Sequence, residues 1–167
     1  MTVNVSTFLT ILITASILTG CGGENDPLAP PRIYYGEDVC ILCSMIISDE
    51  RYAAAINAEL DDGRFVSRLF DDVGDMLEYM VAHDKERTLA TFVHDHDSHE
   101  WIDATTATYL HSPMLHTPMA SGVGAFATTL GADTAQTTFG GPILNWTELK
   151  AVHADGKLLL PQVRQGG

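Results

Sequence analysis

Residues 51–80 have the sequence RYAAAINAELDDGRFVSRLFDDVGDMLEYM, in which two strand-like runs precede a helix-like run. Every second residue from Tyr52 to Leu60 is apolar, so one face of an extended chain would be apolar, as is typical of a half-buried strand. Asp61-Asp62-Gly63 is a hairpin turn signal, and residues 64–70 are predicted to be the returning strand. The pattern therefore predicts a β-hairpin, although the alanine-rich part around residue 54 is also compatible with a helix.

A helix and a third strand are predicted to follow this hairpin. Asp71 and Asp72 are typical helix-start residues, and the apolar residues after them recur at helical spacing until about His83. Residues 88–93 then resemble a strand. The second half repeats this order more weakly, with strands at 107–110, 123–128 and 143–146 and a helix at 132–139 stopped by Gly140-Gly141. The predicted fold class is therefore α+β, with two small β-β-α-β lobes.

The composition excludes several classes of protein. A chain of 167 residues with 46% hydrophobic residues can bury a core, and it is too apolar to be disordered throughout. Nine Lys and Arg stand against 22 Asp and Glu, which gives a net charge of −13. Phosphate binding needs clustered basic side chains, so we expect no nucleic-acid partner.

The N-terminal stretch is typical of an exported lipoprotein. Residues 8–18 form an apolar run of signal-peptide length that is too short to span a bilayer comfortably, although no basic residue precedes it. The run ends in Leu18-Thr19-Gly20-Cys21, which resembles a bacterial lipobox whose cysteine is acylated. We therefore predict a signal peptide over 1–20, a lipidated tether over 21–36 and a membrane-anchored protein facing the periplasm or cell exterior. The alternative is an ordinary secretion signal with an incidental cysteine.

If Cys21 carries the lipid, Cys40 and Cys43 are the remaining thiols. Outside the cytoplasm, a Cys-x-x-Cys pair tends to oxidise unless it cycles or holds a metal. Met45 adds a thioether two residues later, and soft sulfur ligands of this kind select Cu(I). The alternative is a local structural disulfide between the two cysteines.

Two further segments carry groups that could bind a metal. In residues 94–99, His94 and His96 would share one face of a strand and could hold one ion, whereas a solvated turn without metal is the other interpretation. In residues 111–119, Met114 and Met119 lie in a loop braced by prolines. A thioether on a stiff loop can complete a soft metal site with little reorganisation.

Taken in order, these motifs resemble the NosL family, the lipid-anchored copper chaperones of nitrous oxide reductase maturation. The resemblance covers about residues 18–150 and rests on the lipobox, Cys40 with Met45, residues 70–76, Trp101-Ile102-Asp103-Ala104, Thr117-Pro118-Met119 and Gly140-Gly141. It implies a two-lobed fold similar to that of organomercurial lyase. The NosL-like domain would span 37–154, with lobes of about 37–100 and 101–154, and residues 155–167 would be a C-terminal tail.

The resemblance also implies a function and a ligand set. The chain would bind Cu(I) through Cys40, Met45 and Met119, and Ser44 replaces the glycine that precedes the first methionine in the family pattern. Cys43 and His99 are further ligand candidates. The implied partners are nitrous oxide reductase and its ABC-type maturation transporter. Carrying copper requires no bond making, so we expect that the protein is not an enzyme.

Two other functions remain open from the sequence. A thiol–disulfide oxidoreductase would also carry the Cys40-x-x-Cys43 motif, with Thr117-Pro118 as a facing proline loop. A zinc-binding lipoprotein could use Cys40 and Cys43 with His94 and His96. A mixed hypothesis is that the protein binds Cu(I) together with a second ion such as zinc.

Overall fold

The computed structural model describes residues 26–156, so the predicted signal peptide, the Cys21 lipidation site and residues 157–167 lie outside the described part. None of the described helices is both long and apolar enough to cross a membrane. The elements, in chain order, are β1 (Ala54–Glu59), β2 (Phe65–Phe70), α1 (Val73–Ala82), β3 (Arg87–His94), β4 (Trp101–Asp103), β5 (Thr108–His111), β6 (Val123–Phe126), α2 (Thr129–Phe139), β7 (Ile143–Leu144) and α3 (Trp146–Ala154).

The first sheet is antiparallel, with strand order β2-β1-β3-β4. The predicted hairpin forms β1 and β2, and Gly63 occupies the turn with a φ of +78°. The alanine-rich segment is a strand because it is the central strand, paired on both edges and buried on both faces. This tertiary pairing outweighs the helix propensity of alanine.

The last part of the predicted tether packs against this sheet. The Asn57 side-chain amide donates hydrogen bonds to the carbonyls of Pro27 (2.9 Å) and Ala29 (2.8 Å). Ile33 is buried in the main core, and the Gly36 N–H donates to the Ile47 carbonyl. Residues 27–36 therefore belong to the folded domain, where they cover one face of β1.

Helix α1 begins where the acidic start signal predicts. Asp72 is its N-cap, and one carboxylate oxygen accepts the Gly74 N–H at 2.7 Å. Met76 and Leu77 are buried in the core beneath the first sheet, and the helix is capped at its C-terminal end by His83.

The second sheet, with order β6-β5-β7, and α2 form the second predicted β-β-α-β unit. Helix α2 starts at Thr129, earlier than expected, because the Thr128 hydroxyl caps the Gly131 N–H. Gly140 ends it with a φ of +66°. The α+β fold class with two β-β-α-β units is confirmed.

Two short elements differ from the sequence expectations. Strand β4 pairs with β3, so Trp101–Asp103 joins the first sheet although a lobe boundary was expected at residue 100. The chain turns back because the Asp95 N–H donates to the Glu100 carbonyl. Strand β7 ends at Leu144, and α3 begins at once, since Asn145 and Glu148 form a reciprocal capping box.

The two β-β-α-β units are joined through a common buried cluster, and a second, smaller cluster lies between α2 and the second sheet. Met76 of α1, Tyr109 of β5, Val123 of β6 and Leu149 of α3 belong to a single buried cluster. The two halves approach closely at the start of α1, where a Cβ on Gly74 would be 2.6 Å from the Ser121 Cβ. Glycine at this position lets the second half of the chain reach the helix N-terminus.

We predict that Gly74→Ala lowers the free energy of unfolding by roughly 1–3 kcal/mol. Helix propensity alone would favour alanine by about 1 kcal/mol. A decrease in the free energy of unfolding would therefore come from the clash with Ser121. Urea unfolding of the metal-free, reduced protein measures the effect. Gly131→Ala in the first turn of α2, where the nearest atoms lie at 3.2–3.4 Å, is the matched control and should change stability much less. A G74A protein as stable as the wild type would contradict the close approach.

Candidate metal centre

The Cys-x-x-Cys motif lies in a tight turn before β1. Val39 and Ile46 form an antiparallel bridge, and the Cys40 N–H donates to the Met45 carbonyl at 2.9 Å. Ser44 has a φ of +61°, the left-handed conformation that glycine adopts most easily. The turn is held on the first sheet because the Ile41 N–H donates to the Leu69 carbonyl of β2. This backbone requirement explains why a glycine can occupy position 44 in the resembling pattern.

The two thiols meet two carboxylates from the start of α1. The Cys40 Sγ donates to the Asp75 Oδ2 and the Cys43 Sγ to the Asp71 Oδ1, each at 3.3 Å. All four potential ligand atoms lie within 4.8 Å of one another. Asp71 directly precedes the N-cap of α1, and Asp75 lies in its first turn. This cluster of Cys40, Cys43, Asp71 and Asp75 is called the thiol–carboxylate cluster below.

Burial disfavours the charged forms of the two thiols and of Asp75. Cys40 is 1% exposed, and Asp71 and Asp75 are also buried. Desolvation raises the pKa of the Cys40 thiol, the Cys43 thiol and the Asp75 carboxyl above their ordinary values. A soft metal ion that bound here would bind thiolates, so its binding would release protons.

The second half of the chain reaches the same helix start through Asp72. The Asp72 Oδ2 accepts the Thr117 hydroxyl at 2.6 Å and the Met119 N–H at 3.0 Å. Asp72 directly follows Asp71 of the thiol–carboxylate cluster. The predicted Met119 segment is therefore bound to the residue that follows Asp71 of the cluster. Met119 is 39% exposed and Met45 is 55% exposed, so both thioethers lie at the surface.

The histidines of 94–99 have other roles in this structure. His94 is buried, with one ring nitrogen 3.1 Å from the Tyr35 hydroxyl and the other 3.1 Å from the Ala53 carbonyl. Desolvation lowers the pKa of His94, which keeps the ring neutral. The His96 ring packs between aromatic side chains. Within residues 26–156, the structure does not bring these two rings to the cysteines as the zinc hypothesis requires.

His99 lies outside the thiol–carboxylate cluster. Its ring contacts the Glu50 carboxylate at 3.2 Å, and its backbone has a φ of +61°. The structure gives Met114 an exposed position, with its N–H bonded to the Ser112 hydroxyl. The ligand role of His99 stays a prediction.

Asp71 and Asp75 are the site residues that the sequence analysis missed. It treated Asp71 as a helix-start residue only, and it assigned Asp75 no role. The one available signal was the cluster of three aspartates at 71, 72 and 75 around a predicted helix start. What it could not provide was the location of the cysteine turn against that helix start.

The geometry favours neither a structural disulfide between Cys40 and Cys43 nor thiol–disulfide exchange by them. Cys40 and Cys43 are free thiols, each donating to a different carboxylate. Thiol–disulfide exchange needs a thiolate with a lowered pKa, often at a helix N-terminus. Here the cysteines lie in a turn, and burial raises both pKa values.

Comparisons with known proteins agree with this architecture. The NosL family model matches residues 33–153. The crystal structure of the copper chaperone NosL from Shewanella denitrificans has the same fold, with a TM-score of 0.60 and 16% sequence identity over 74% of this chain and 96% of that chain. No curated protein matches the sequence at a significant level.

We predict that Ser44→Gly keeps or raises the stability of the metal-free protein, by up to about 1 kcal/mol, whereas Ser44→Val lowers it by about 1–2 kcal/mol. The reason is the positive φ at position 44, which a β-branched side chain tolerates poorly. Urea unfolding under reducing conditions measures both variants. Equal stabilities for the glycine and valine variants would refute the left-handed turn.

We also predict slow alkylation of Cys40 and Cys43 by iodoacetamide near neutral pH in the metal-free protein. Their pKa values are raised, so the thiolate fraction grows only above the ordinary thiol pKa of about 8.5. The folded chain holds these protons more tightly than the unfolded chain, so stability is full below that pH and falls as pH rises above it. The urea-unfolded chain is the control, and a folded protein that alkylates at the same or lower pH would contradict the prediction.

Proposed function

This chain belongs to the NosL family, and from that membership we propose that it is a copper carrier that binds Cu(I) through Cys40 and Cys43. The observation that carries the proposal is the pair of free thiols gathered with two carboxylates at the start of α1. The solved structure of the same fold is described as a copper chaperone, and this agrees with the expectation of a binding protein rather than an enzyme.

The donor chemistry suits a monovalent copper ion. Thiolate and thioether sulfur are soft ligands, and Cu(I) is the soft first-row ion that they select. The carboxylates of Asp75 and Asp71 accept hydrogen bonds from the Cys40 and Cys43 thiols. If Cu(I) bound to both sulfurs, the two thiols would lose their protons to solvent, and the ion's single positive charge would offset one of the two negative charges formed.

Met119 and Met45 complete the proposed site from the surface. Both thioethers are partly exposed, and the backbone of Met119 is anchored beside Asp71 through Asp72. A partner protein could replace an exposed thioether more easily than a buried thiolate. We propose that copper is held by the Cys40 and Cys43 thiolates and released by exchange at the more exposed methionines.

The location and recipient form the finer part of this proposal. We propose that acylation of Cys21 anchors the domain to a bacterial membrane, on the periplasmic or external side. The lipobox and the apolar run before it support this anchor. We also propose delivery to nitrous oxide reductase through its ABC-type maturation transporter, on the strength of the family resemblance. Copper content of the reductase after deletion of this chain tests the delivery.

A divalent ion is a second candidate, because the thiol–carboxylate cluster offers two oxygen donors as well as two sulfurs. Such a mixed set fits tetrahedral zinc in number and donor type. This replaces the zinc set expected from sequence, since Asp71 and Asp75 take the places intended for His94 and His96. Metal analysis of protein purified without oxygen, followed by competition between Cu(I) and Zn²⁺, separates the two ions.

We predict that Cys40→Ser, Cys43→Ser and Met119→Leu each weaken Cu(I) retention, by roughly tenfold or more for the two cysteines. The measurement is anaerobic competition against a chromophoric Cu(I) chelator. Met114→Leu is the matched control, since Met114 is an exposed methionine of the same loop region outside the cluster. Competition curves identical to wild type for C40S and C43S would remove copper from this site.

A further inference from the structure

Asp72 is bonded more extensively than an ordinary helix N-cap. Asp72 is fully buried, with 0% of its surface exposed. One carboxylate oxygen accepts the Gly74 N–H at 2.7 Å, which is the usual capping bond. The other oxygen accepts two donors from a distant part of the chain, the Thr117 hydroxyl at 2.6 Å and the Met119 N–H at 3.0 Å.

Capping alone would not require this second oxygen to be buried. A carboxylate removed from water needs hydrogen-bond donors, because a buried charge without partners is costly. Here the donors come from residues 45 and 47 positions later in the chain. Charge-assisted bonds of this length are stronger than neutral ones, so the carboxylate fixes the position of the loop it binds.

The loop itself is organised around the same hydroxyl. The Thr117 Oγ1 accepts the Gly122 N–H at 3.2 Å and lies 3.3 Å from the Ser121 hydroxyl. Between them, Ala120 has a φ of +59°, which marks a tight turn closed by its N–H on the Thr117 carbonyl. The segment 117–122 is therefore a compact turn that binds the Asp72 carboxylate through the Thr117 hydroxyl and the Met119 N–H.

We propose that Asp72 is a positioning residue that holds the Met119 loop beside the thiol–carboxylate cluster, so that the thioether can join the thiols on one copper ion. This inference rests on the proposed copper-carrying function. Asp71 accepts a hydrogen bond from the Cys43 thiol, and Asp72, the next residue, accepts one from the Met119 N–H. The start of α1 thus sets the spacing between sulfur donors from two ends of the domain.

The test uses Thr117→Val, which removes the hydroxyl at nearly constant volume, and Thr117→Ser, which keeps it. Asp72→Ser is the second variant, since serine still caps a helix but lacks the second oxygen. Each is made in the wild type and in Met119→Leu, and Cu(I) affinity is measured by anaerobic chelator competition. Circular dichroism and urea unfolding verify that each variant is folded.

T117V and D72S should weaken Cu(I) binding by about tenfold in the wild type, as supporting residues of metal sites commonly do. In the M119L background the same changes should cost less than about twofold, since the thioether they position is absent. T117S should bind like the wild type. X-ray absorption of Cu(I)-loaded T117V should count fewer sulfur neighbours than the wild type does.

Three results would overturn the positioning role. The first is an equal loss of Cu(I) affinity from T117V in the wild type and in M119L. The second is folded T117V that binds Cu(I) as tightly as the wild type, and the third is M119L that does so. In each of these cases, copper binding through Cys40 and Cys43 stands. By contrast, wild-type protein that does not retain Cu(I), or C40S and C43S that retain it fully, would refute the carrier function itself.

Discussion

The buried start of α1 is the constraint on which the rest of this site depends. Three aspartates at positions 71, 72 and 75 are buried there. A helix N-terminus favours negative charge, but carboxylates removed from water also need hydrogen-bond donors. The cysteine turn supplies two thiols, and the 117–122 loop supplies a hydroxyl and an amide. Each docked segment therefore satisfies acidic groups that would otherwise be costly to bury.

This arrangement connects the candidate metal centre to the architecture of the whole domain. The helix start lies between the two sheets, where Gly74 allows Ser121 to approach closely. Any change in how the second sheet sits on α1 would move the Met119 loop relative to the cysteine turn. Occupancy of a site built from both segments would in turn stabilise their relative position, because a ligand stabilises the state that it binds.

The fold was predictable where the pattern was long and locally consistent. The hairpin of β1 and β2, helix α1 and strand β3 lie close to their expected positions, since periodicity, turn residues and cap residues agreed. Short elements were missed. Strand β4 has three residues and is defined by its pairing with β3, and α3 begins directly after a two-residue strand. The capping-box residues Asn145 and Glu148 are visible in the sequence, but Asn145 was assigned to a predicted strand over 143–146.

Sequence alone predicted sulfur ligands, because ligand softness is a property of the side chain and the Cys40-x-x-Cys43 turn is local. It also placed Asp72 at a helix start, which is a local signal as well. The partners of those groups were fixed only by tertiary packing. Cys43 reaches Asp71 across 28 positions, Cys40 reaches Asp75 across 35, and Thr117 reaches Asp72 across 45. Contacts at such separations depend on how the sheets bury their apolar faces, and no local pattern encodes them.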